Sequence, residues 1–442
     1  MSRTVVVGGG AAGVLAAIHL LREGAPGDRV DLIAGTSGGA HGTRLGSGVA
    51  YRTDDERHLL NVPANRMSAY PGDSDDFARW AGVGGEAFVA RRRYGEYLRA
   101  ALEDERADAG GVTLCVRDAE AVDVDHVGVT LSSGEFVEAD GVVLALGHAT
   151  PAPMPGVSAA AAATQRYIPD PWADAVLDTV VEGSRAVILG TALTFVDVVL
   201  SLTGRLSNLS IVGVSRRGLL PHTHVAREHD APSLDAMVAQ HGGALNPLMR
   251  AFVAQARAAG PQWRMVFDGM RPHTSTQWAA MSPIDKRRFV RHVLPYWDNH
   301  RHRMAPDVGS SIAALQAAGT IAVRKGRVAS IDVSDGGLRT RLRNGETLQS
   351  DYVIRCTGAG GRHGPSSSAL LGNLIRRGLR IDPYGFGLVA DPDGRVHVDD
   401  PHVLPMYVIG PPRRGSEWES TAIPEIRCQA LAVARTVLGL RD

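Results

Sequence analysis

Lysine is almost missing from this chain: Lys286 and Lys325 are the only two, and arginine supplies the other basic side chains. Cysteine is scarce as well. Cys115, Cys356 and Cys428 lie far apart, and none belongs to a Cys-x-x-Cys pair. A dithiol–disulfide reductase needs two neighbouring thiols, so that chemistry is disfavoured, and no Cys/His spacing marks a zinc or other metal site. No apolar run reaches the ~20 residues that cross a bilayer. The first strand starts almost at once, with no leader pattern before it, so the expected location is the cytoplasm. A charge surplus is lacking too: Lys plus Arg and Asp plus Glu are 47 each. That removes the basic excess that nucleic acid or an anionic membrane surface would call for.

What is present is a length of 442 residues, enough for two domains, and an informative placement of glycine. Residues 4–7, TVVV, suit a buried parallel strand. Gly8-Gly9-Gly10-Ala11-Ala12-Gly13 follows, and then VLAAIHLLREG with helical apolar spacing and Gly24 as the expected C-terminal cap. Strand, G-x-G-x-x-G turn and helix in that order form a dinucleotide site. Gly8 permits the tight turn, Gly10 lets a pyrophosphate approach the backbone, and Gly13 lets the helix pack close to the strand. The diphosphate then meets free N–H groups and the positive end of the helix dipole. The next strand, residues 30–35, ends in Ala34-Gly35, where an acidic residue normally binds the ribose; Asp31 lies too early to replace it. Residues 46–72 form a long stretch that is either a loop lining a ligand or a packed surface loop.

The chain contains a repeat. Residues 112–147 and 320–358 each read as a β-meander, an acidic residue and a strand ending in glycine, Gly147 and Gly358. The second copy has its own turn: strand RAVIL at 185–189, then Gly190-Thr191-Ala192-Leu193-Thr194-Phe195 and a helix through Leu202. Ala192 and Phe195 replace the second and third glycines, and a methyl at 192 crowds a pyrophosphate. The strand at 209–214 leads into Arg216-Arg217, either a bidentate grip on a 2′-phosphate, favouring NADPH, or two solvated surface arginines.

GGGAAG, GSGVAY, HLLNVPANRMS, GTALTFVDVVLSL, VSRRGLLPHTH and the segment at 267–306 together resemble the bacterial FAD-NAD(P)-binding family. That family lies within the two-dinucleotide-fold flavoproteins, alongside the N-hydroxylating and flavin-containing monooxygenases. The resemblance implies an α/β fold of two Rossmann-like dinucleotide-binding domains, each with a β-meander, plus a helical insert. The FAD domain is expected at 1–165 and 310–442, the NAD(P)H domain at 180–229 with part of 310–360, and a substrate or lid insert at 230–308. It implies FAD at Gly8, Gly10, Ala11, Ala12 and Gly13, a flavin-wrapping loop with His58, Asn61 and Met67, and NADPH at Gly190, Thr191, Arg216 and Arg217. Gly147, Gly358, Gly410 and the segment Thr421-Ala422-Ile423 before the last helix complete the cofactor contacts. His58 and Asn61 are the catalytic candidates. Gly410 is followed by Pro411, where relatives commonly carry Gly-Asp.

The insert carries Trp263, Trp278, Trp297, His273, His292, His300 and His302. Arg291 and His292, with the run His300-Arg301-His302-Arg303, either line a pocket for an anionic substrate or form a solvated helix face; the tryptophans are expected mostly in the core. His222, His224 and His229 are either cofactor contacts or a polar loop. The favoured function is an NADPH-using flavin monooxygenase that oxidises a small metabolite with O2, at an amine nitrogen of an amino-acid-like substrate. The alternatives are an oxidase or dehydrogenase reduced by its own substrate, and a non-catalytic flavin-binding protein. Oligomeric state is left open, a homo-oligomer included.

Overall fold

Short β-branched strands and glycine turns build two parallel sheets in the computed structural model, which describes residues 1–35, 45–225, 231–358 and 362–440. His229 lies outside the described residues. Along the chain run β1 (Arg3–Val7), β2 (Arg29–Ile33), β3 (Thr113–Arg117), β4 (Ala121–Val124), β5 (Gly128–Leu131), β6 (Phe136–Glu138), β7 (Gly141–Leu144) and β8 (Tyr167–Ile168). Then come β9 (Arg185–Leu189), β10 (Ser210–Ser215), β11 (Ile321–Lys325), β12 (Val328–Ser334), β13 (Gly337–Leu342), β14 (Thr347–Ser350), β15 (Tyr352–Arg355) and β16 (Met406–Val408).

The first sheet has the order β16-β7-β1-β2-β3 and the second β11-β10-β9-β15-β8. The two share one plan. The strand before the glycine turn is central, flanked on one side by the strand after the helix and on the other by the strand after the meander. Val5 pairs with Asp31 and Val142; Val187 pairs with Val212 and Val353. Strand order reverses beside β1 and beside β9, which opens a crevice at the carboxyl ends of the strands, where open α/β sheets bind ligands. The meanders β4-β5-β6 and β12-β13-β14 are three-stranded antiparallel sheets.

Both faces of each sheet are covered, as uninterrupted apolar strands require. In the first unit the helix Ala11–Glu23 packs between Arg91–Ala107 and the C-terminal helix Ile423–Val437. The opposite face meets the meander and the helix Ala369–Arg376. In the second unit, Leu193–Thr203 and Pro306–Ala317 cover one face and the second meander covers the other. Strand β11, this meander and β15 all lie with the second sheet, and the chain rejoins the first sheet at β16. Gly24 does end the first helix, but with an extended backbone (φ −72°, ψ 160°) rather than a left-handed cap.

Residues 235–301 are helical, with an aromatic core of Phe252, Phe267, Trp278, Phe289 and Trp297. The insert is bolted to the C-terminal segment. Arg271 forms a bidentate pair with Glu425 at 2.6 and 2.7 Å, Arg301 reaches Glu419 at 3.3 Å, and Trp278 Nε1 donates to the Gly415 carbonyl at 2.9 Å. No helix of the described residues is long and apolar enough to cross a membrane.

Candidate cofactor and substrate site

The first glycine turn is a pit with backbone walls. Gly8 has φ +121°, and a Cβ there would stand 2.2 Å from the Ala145 carbonyl oxygen. A Cβ on Gly13 would stand 1.7 Å from the Gly8 oxygen, so only glycine lets this helix approach its strand. Gly10 is different: its nearest neighbour is Gly48 Cα, 3.8 Å from where a Cβ would be. Side chains are lacking on both sides of that gap, and Gly9 O accepts from Gly46 N at 2.9 Å to hold the facing segment in place. Ala11 and Ala12 open the helix, so their N–H groups have no intrahelical acceptor, and no side chain caps them. Gly410 closes the third side, with its Cβ direction 3.2 Å from the Ala12 methyl. Backbone donors, a helix N-terminus and a cleft that a side chain would fill suit a diphosphate. Asp31 does not face this pit: it is buried and paired with Arg29 at 2.7 Å and Arg117 at 2.8 Å.

The second turn keeps the geometry with different residues. Gly190 has φ +100°, and Ala192 caps its helix with φ −86° and ψ −164°, close to the −74° and −174° of Gly10. Phe195, in place of the third glycine, is fully buried against β10, where a Cβ on Gly213 would come within 2.7 Å of its ring. The missing glycine has thus moved to the neighbouring strand. Thr191 Oγ1 donates to the Leu219 carbonyl at 2.5 Å and lies 2.8 Å from Ser215 Oγ, which fixes the turn after β10. Arg216 and Arg217 on that turn are exposed, and Arg217 lies 5.5 Å from the Tyr296 ring. Lys325 ends β11 beside the same turn, its Cβ 3.2 Å from the Cβ direction of Gly218. The strand pairing that brings this rare lysine next to the arginines is invisible in the sequence.

His58 was expected on the flavin side. Its ring is 2% exposed, with Nδ1 2.7 Å from Thr53 Oγ1 and Nε2 3.0 Å from both the Asp197 carbonyl and Ser201 Oγ. Nδ1 thus holds the ring within the 52–60 loop, and Nε2 ties that loop to the helix Leu193–Thr203. Arg91 reinforces the joint with a 2.6 Å pair to Asp197. Asn61 offers its carbonyl to His224 Nε2 at 3.0 Å, and burial lowers the His224 pKa to about 4. The Met67 side chain is in the core. Gly147 and Gly358 follow β7 and β15 with positive φ, 66° and 83°. Thr421, Ala422 and Ile423 lead into the last helix, whose N-cap, Ala422, provides no side-chain hydrogen bond.

A polar cluster that no single motif announces lies where the insert meets the C-terminal segment. Asp298 and His302, 3.7 Å apart, keep 42% and 36% of their side-chain surface, and desolvation by the surrounding protein pushes the Asp298 carboxyl up to about 6 and pulls His302 down to about 3. His148, directly after Gly147, behaves likewise: it is exposed, and burial with the charge of Arg414 pulls it to about 4. Arg414, which acts on all three groups, rests 4.3 Å above the Trp418 ring. Arg301 and Arg303 of the expected anion site are buried in pairs with Glu419 and Asp268. Arg291 and His292 are on the surface, and His300 packs 4.6 Å from the His222 ring. A π-helical turn at Phe289–Val293, a device frequent at functional sites, resets the helix that carries Asp298 and His302. Among the described residues no group of three or more His, Cys, Asp or Glu is arranged for a metal, and all three cysteines are free.

Residues 5–149 match the model of the FAD-NAD(P)-binding family. No curated protein matches the chain. Among solved structures, the chain is similar to the ornithine N-hydroxylase of Kutzneria sp. 744 in complex with reduced FAD, NADP+ and L-ornithine. Identity is 14%, coverage 99% of both chains and TM-score 0.67. It is also similar to L-lysine 6-monooxygenase from Pseudomonas syringae (16%, 99% of both chains, 0.63) and to thioredoxin reductase of T. acidophilum (13%, 99% of both chains, 0.52). These likenesses show the fold, two Rossmann-like units with their meanders and a helical insert.

Proposed function

We propose that the protein is an FAD-dependent, NADPH-using monooxygenase that hydroxylates an amine nitrogen of a small, amino-acid-like substrate. The observation that carries this reading is the pairing of two glycine turns, one on each sheet, with no neighbouring thiols. Thioredoxin reductase shares the fold, but dithiol chemistry needs two adjacent cysteines. Here Cys356 is buried, with its thiol pKa pushed well up by that burial, and no second cysteine pairs with it. The similarity to ornithine and lysine hydroxylases adds support for oxidation at nitrogen.

The net reaction is R–NH2 + O2 + NADPH + H+ giving R–NHOH + NADP+ + H2O. FAD, when bound, supplies the two-electron relay between NADPH and O2. The chain positions the reactants and keeps water out. Gly8, Gly10, Ala11, Ala12 and Gly13, with Gly48 and Gly410 opposite, hold the FAD diphosphate. Gly190, Thr191 and the open N-terminus of the helix Leu193–Thr203 hold NADPH, with Arg216, Arg217 and Lys325 around its 2′-phosphate. The N-terminus of Ile423–Val437 lends positive potential beside a flavin that gains negative charge. His58 acts as a strut between the 52–60 loop and the helix Leu193–Thr203.

Anaerobic NADPH should bleach the yellow protein, alone or once an amine substrate is present. Absence of bleaching with NADPH, with or without candidate amines, rejects the reading in favour of a substrate-reduced oxidase or a non-catalytic flavoprotein. Replacing Arg216 and Arg217 together with alanine should raise KM for NADPH roughly 5- to 30-fold, from about 1–2 kcal/mol of lost charge-assisted bonding at an exposed site. KM for NADH should change less than about twofold. Equal rises for both coenzymes would assign the arginines to shared parts of the nucleotide.

A further inference from the structure

We propose that Asp197 and Arg91 are positioning residues for flavin reduction: their ion pair, with the His58 clamp beside it, sets the spacing between the two glycine turns. The inference rests on the reading above, in which one turn holds FAD and the other NADPH, and adds residues to it. One segment touches both sites. It leaves the first turn at Gly46, whose N–H donates to Gly9 O at 2.9 Å, and at Gly48, which faces Gly10. By His58 it has reached the helix Leu193–Thr203, which begins at the second turn. That helix meets the segment with Asp197, Ser201 and Gly204, spaced i, i+4 and i+7 and therefore on one face. His58 Nε2 lies 3.0 Å from both the Asp197 carbonyl and Ser201 Oγ, and Ser201 Oγ donates to Asp55 at 3.3 Å. The missing side chain of Gly204 leaves room for the Arg57 guanidinium.

The ion pair locks this face. Asp197 is the one charge in the buried stretch 195–200. Arg91 reaches it from another element and grips two things at once. Its Nη1 donates to Asp197 Oδ2 at 2.6 Å and its Nε to the Leu59 carbonyl at 3.1 Å. Backbone bonds from Arg91 N to His58 O and from Leu60 N to Val89 O, both 2.8 Å, hold it alongside the segment. A guanidinium fork can serve the loop backbone and the helix carboxylate together, whereas an ammonium is a single point charge. Three residues further on, Asn61 O accepts from His224 Nε2 at 3.0 Å, so the chain that follows Arg216-Arg217 is tied to the same segment. A buried ion pair is weak evidence for stability, but it fixes where two elements meet. Contacts spread along one helix face stop the helix from sliding or pivoting, and a coenzyme seated at its N-terminus keeps that position. Flavin reduction depends on such placement. Hydride transfer breaks a C–H bond of the nicotinamide and forms an N–H bond on the flavin; the two electrons travel with the hydrogen, and NADPH becomes NADP+. A misplacement of ~1 Å can slow a step of this kind on the order of 10²-fold.

The test pairs anaerobic stopped-flow mixing of FAD-loaded protein with NADPH and trypsin digestion of the apoprotein. Asp197→Asn keeps the side-chain shape and drops the charge. It should slow flavin reduction at saturating NADPH at least about tenfold, a fraction of the loss that a 1 Å misplacement brings, and leave the dissociation constants of NADPH and FAD within about threefold. Arg91→Lys keeps the charge but not the double grip, and should slow reduction at least about threefold with the same constants. In both apoproteins trypsin should cut after Arg52 and Arg57 at least about fivefold faster, because the released segment opens more often. The positioning role is overturned if Asp197→Asn is reduced at the parent rate, or if rate and NADPH affinity fall by equal factors in both variants. It is also overturned if neither apoprotein is cut faster. Normal reduction of the parent with unaffected variants leaves the monooxygenase reading standing and removes the positioning role. A parent protein that NADPH does not reduce removes both, and faster cutting would then keep the joint only as a structural clamp.

Discussion

Gly10→Val is expected to fold normally and to purify colourless. Gly10 occupies the N-cap with φ −74° and ψ −174°, an extended conformation that valine adopts without strain. Its Cβ would meet nothing closer than Gly48 Cα at 3.8 Å, an ordinary contact. The branches would instead fill the gap between the two backbone walls, and a diphosphate needs that gap to reach the amides of Ala11 and Ala12. Losing two or three charge-assisted bonds of about 1.5–3 kcal/mol each weakens FAD at least about 10²-fold. Gly13→Ala separates ligand contact from packing. Its methyl would lie 1.7 Å from the Gly8 oxygen, so the helix must move, and overpacking of that kind costs about 1–3 kcal/mol. The expected pattern is an unchanged melting temperature with lost flavin in Gly10→Val, and a lowered melting temperature of the apoprotein in Gly13→Ala. A Gly10→Val protein that takes up FAD at wild-type affinity would sink the proposed diphosphate site.

What could be read from the residues was local chemistry and its repetition. Strand, turn and helix are consecutive in both copies, and β9 falls on residues 185–189, as the RAVIL run indicates. The repeat at 112–147 and 320–358 recurs as two meanders and two equivalent strands, β7 and β15. Less legible were contacts made across the fold. The strut role of His58 depends on Asp197 and Ser201, 139 and 143 residues later. The tolerance of Phe195 depends on Gly213, whose absent side chain matters only once β9 and β10 are paired. The run His300-Arg301-His302-Arg303 reads either as a pocket for an anionic substrate or as a solvated helix face. Folding divides it, because Glu419 and Asp268, neither predictable as partners, neutralise its two arginines.

Arg301→Met should be the most destabilising single change in the insert, and Arg301→Met with Glu419→Gln should recover most of the loss. Arg301 and Glu419 are 7% and 6% exposed, and their contact joins the helix Leu294–Arg301 to the C-terminal segment. Removing one partner strands a buried carboxylate, which costs about 3–5 kcal/mol, whereas replacing both removes the desolvation penalty along with the attraction. At about 2 °C per kcal/mol for a chain of this size, the single variant should melt roughly 6–10 °C lower. The double variant should lie within about 3 °C of the parent on the same scale. Additive losses would mean that the pair contributes through packing of the arginine stem rather than through charge. The same comparison asks what the pair is for. A buried ion pair is weak evidence for stability, but it fixes where two segments meet. If the double variant melts like the parent yet loses NADPH-dependent activity, the pair serves to register the helix Leu294–Arg301 against the C-terminal segment. Recovery of both stability and activity would show that apolar packing of Trp278, Trp297 and Trp418 suffices to join them.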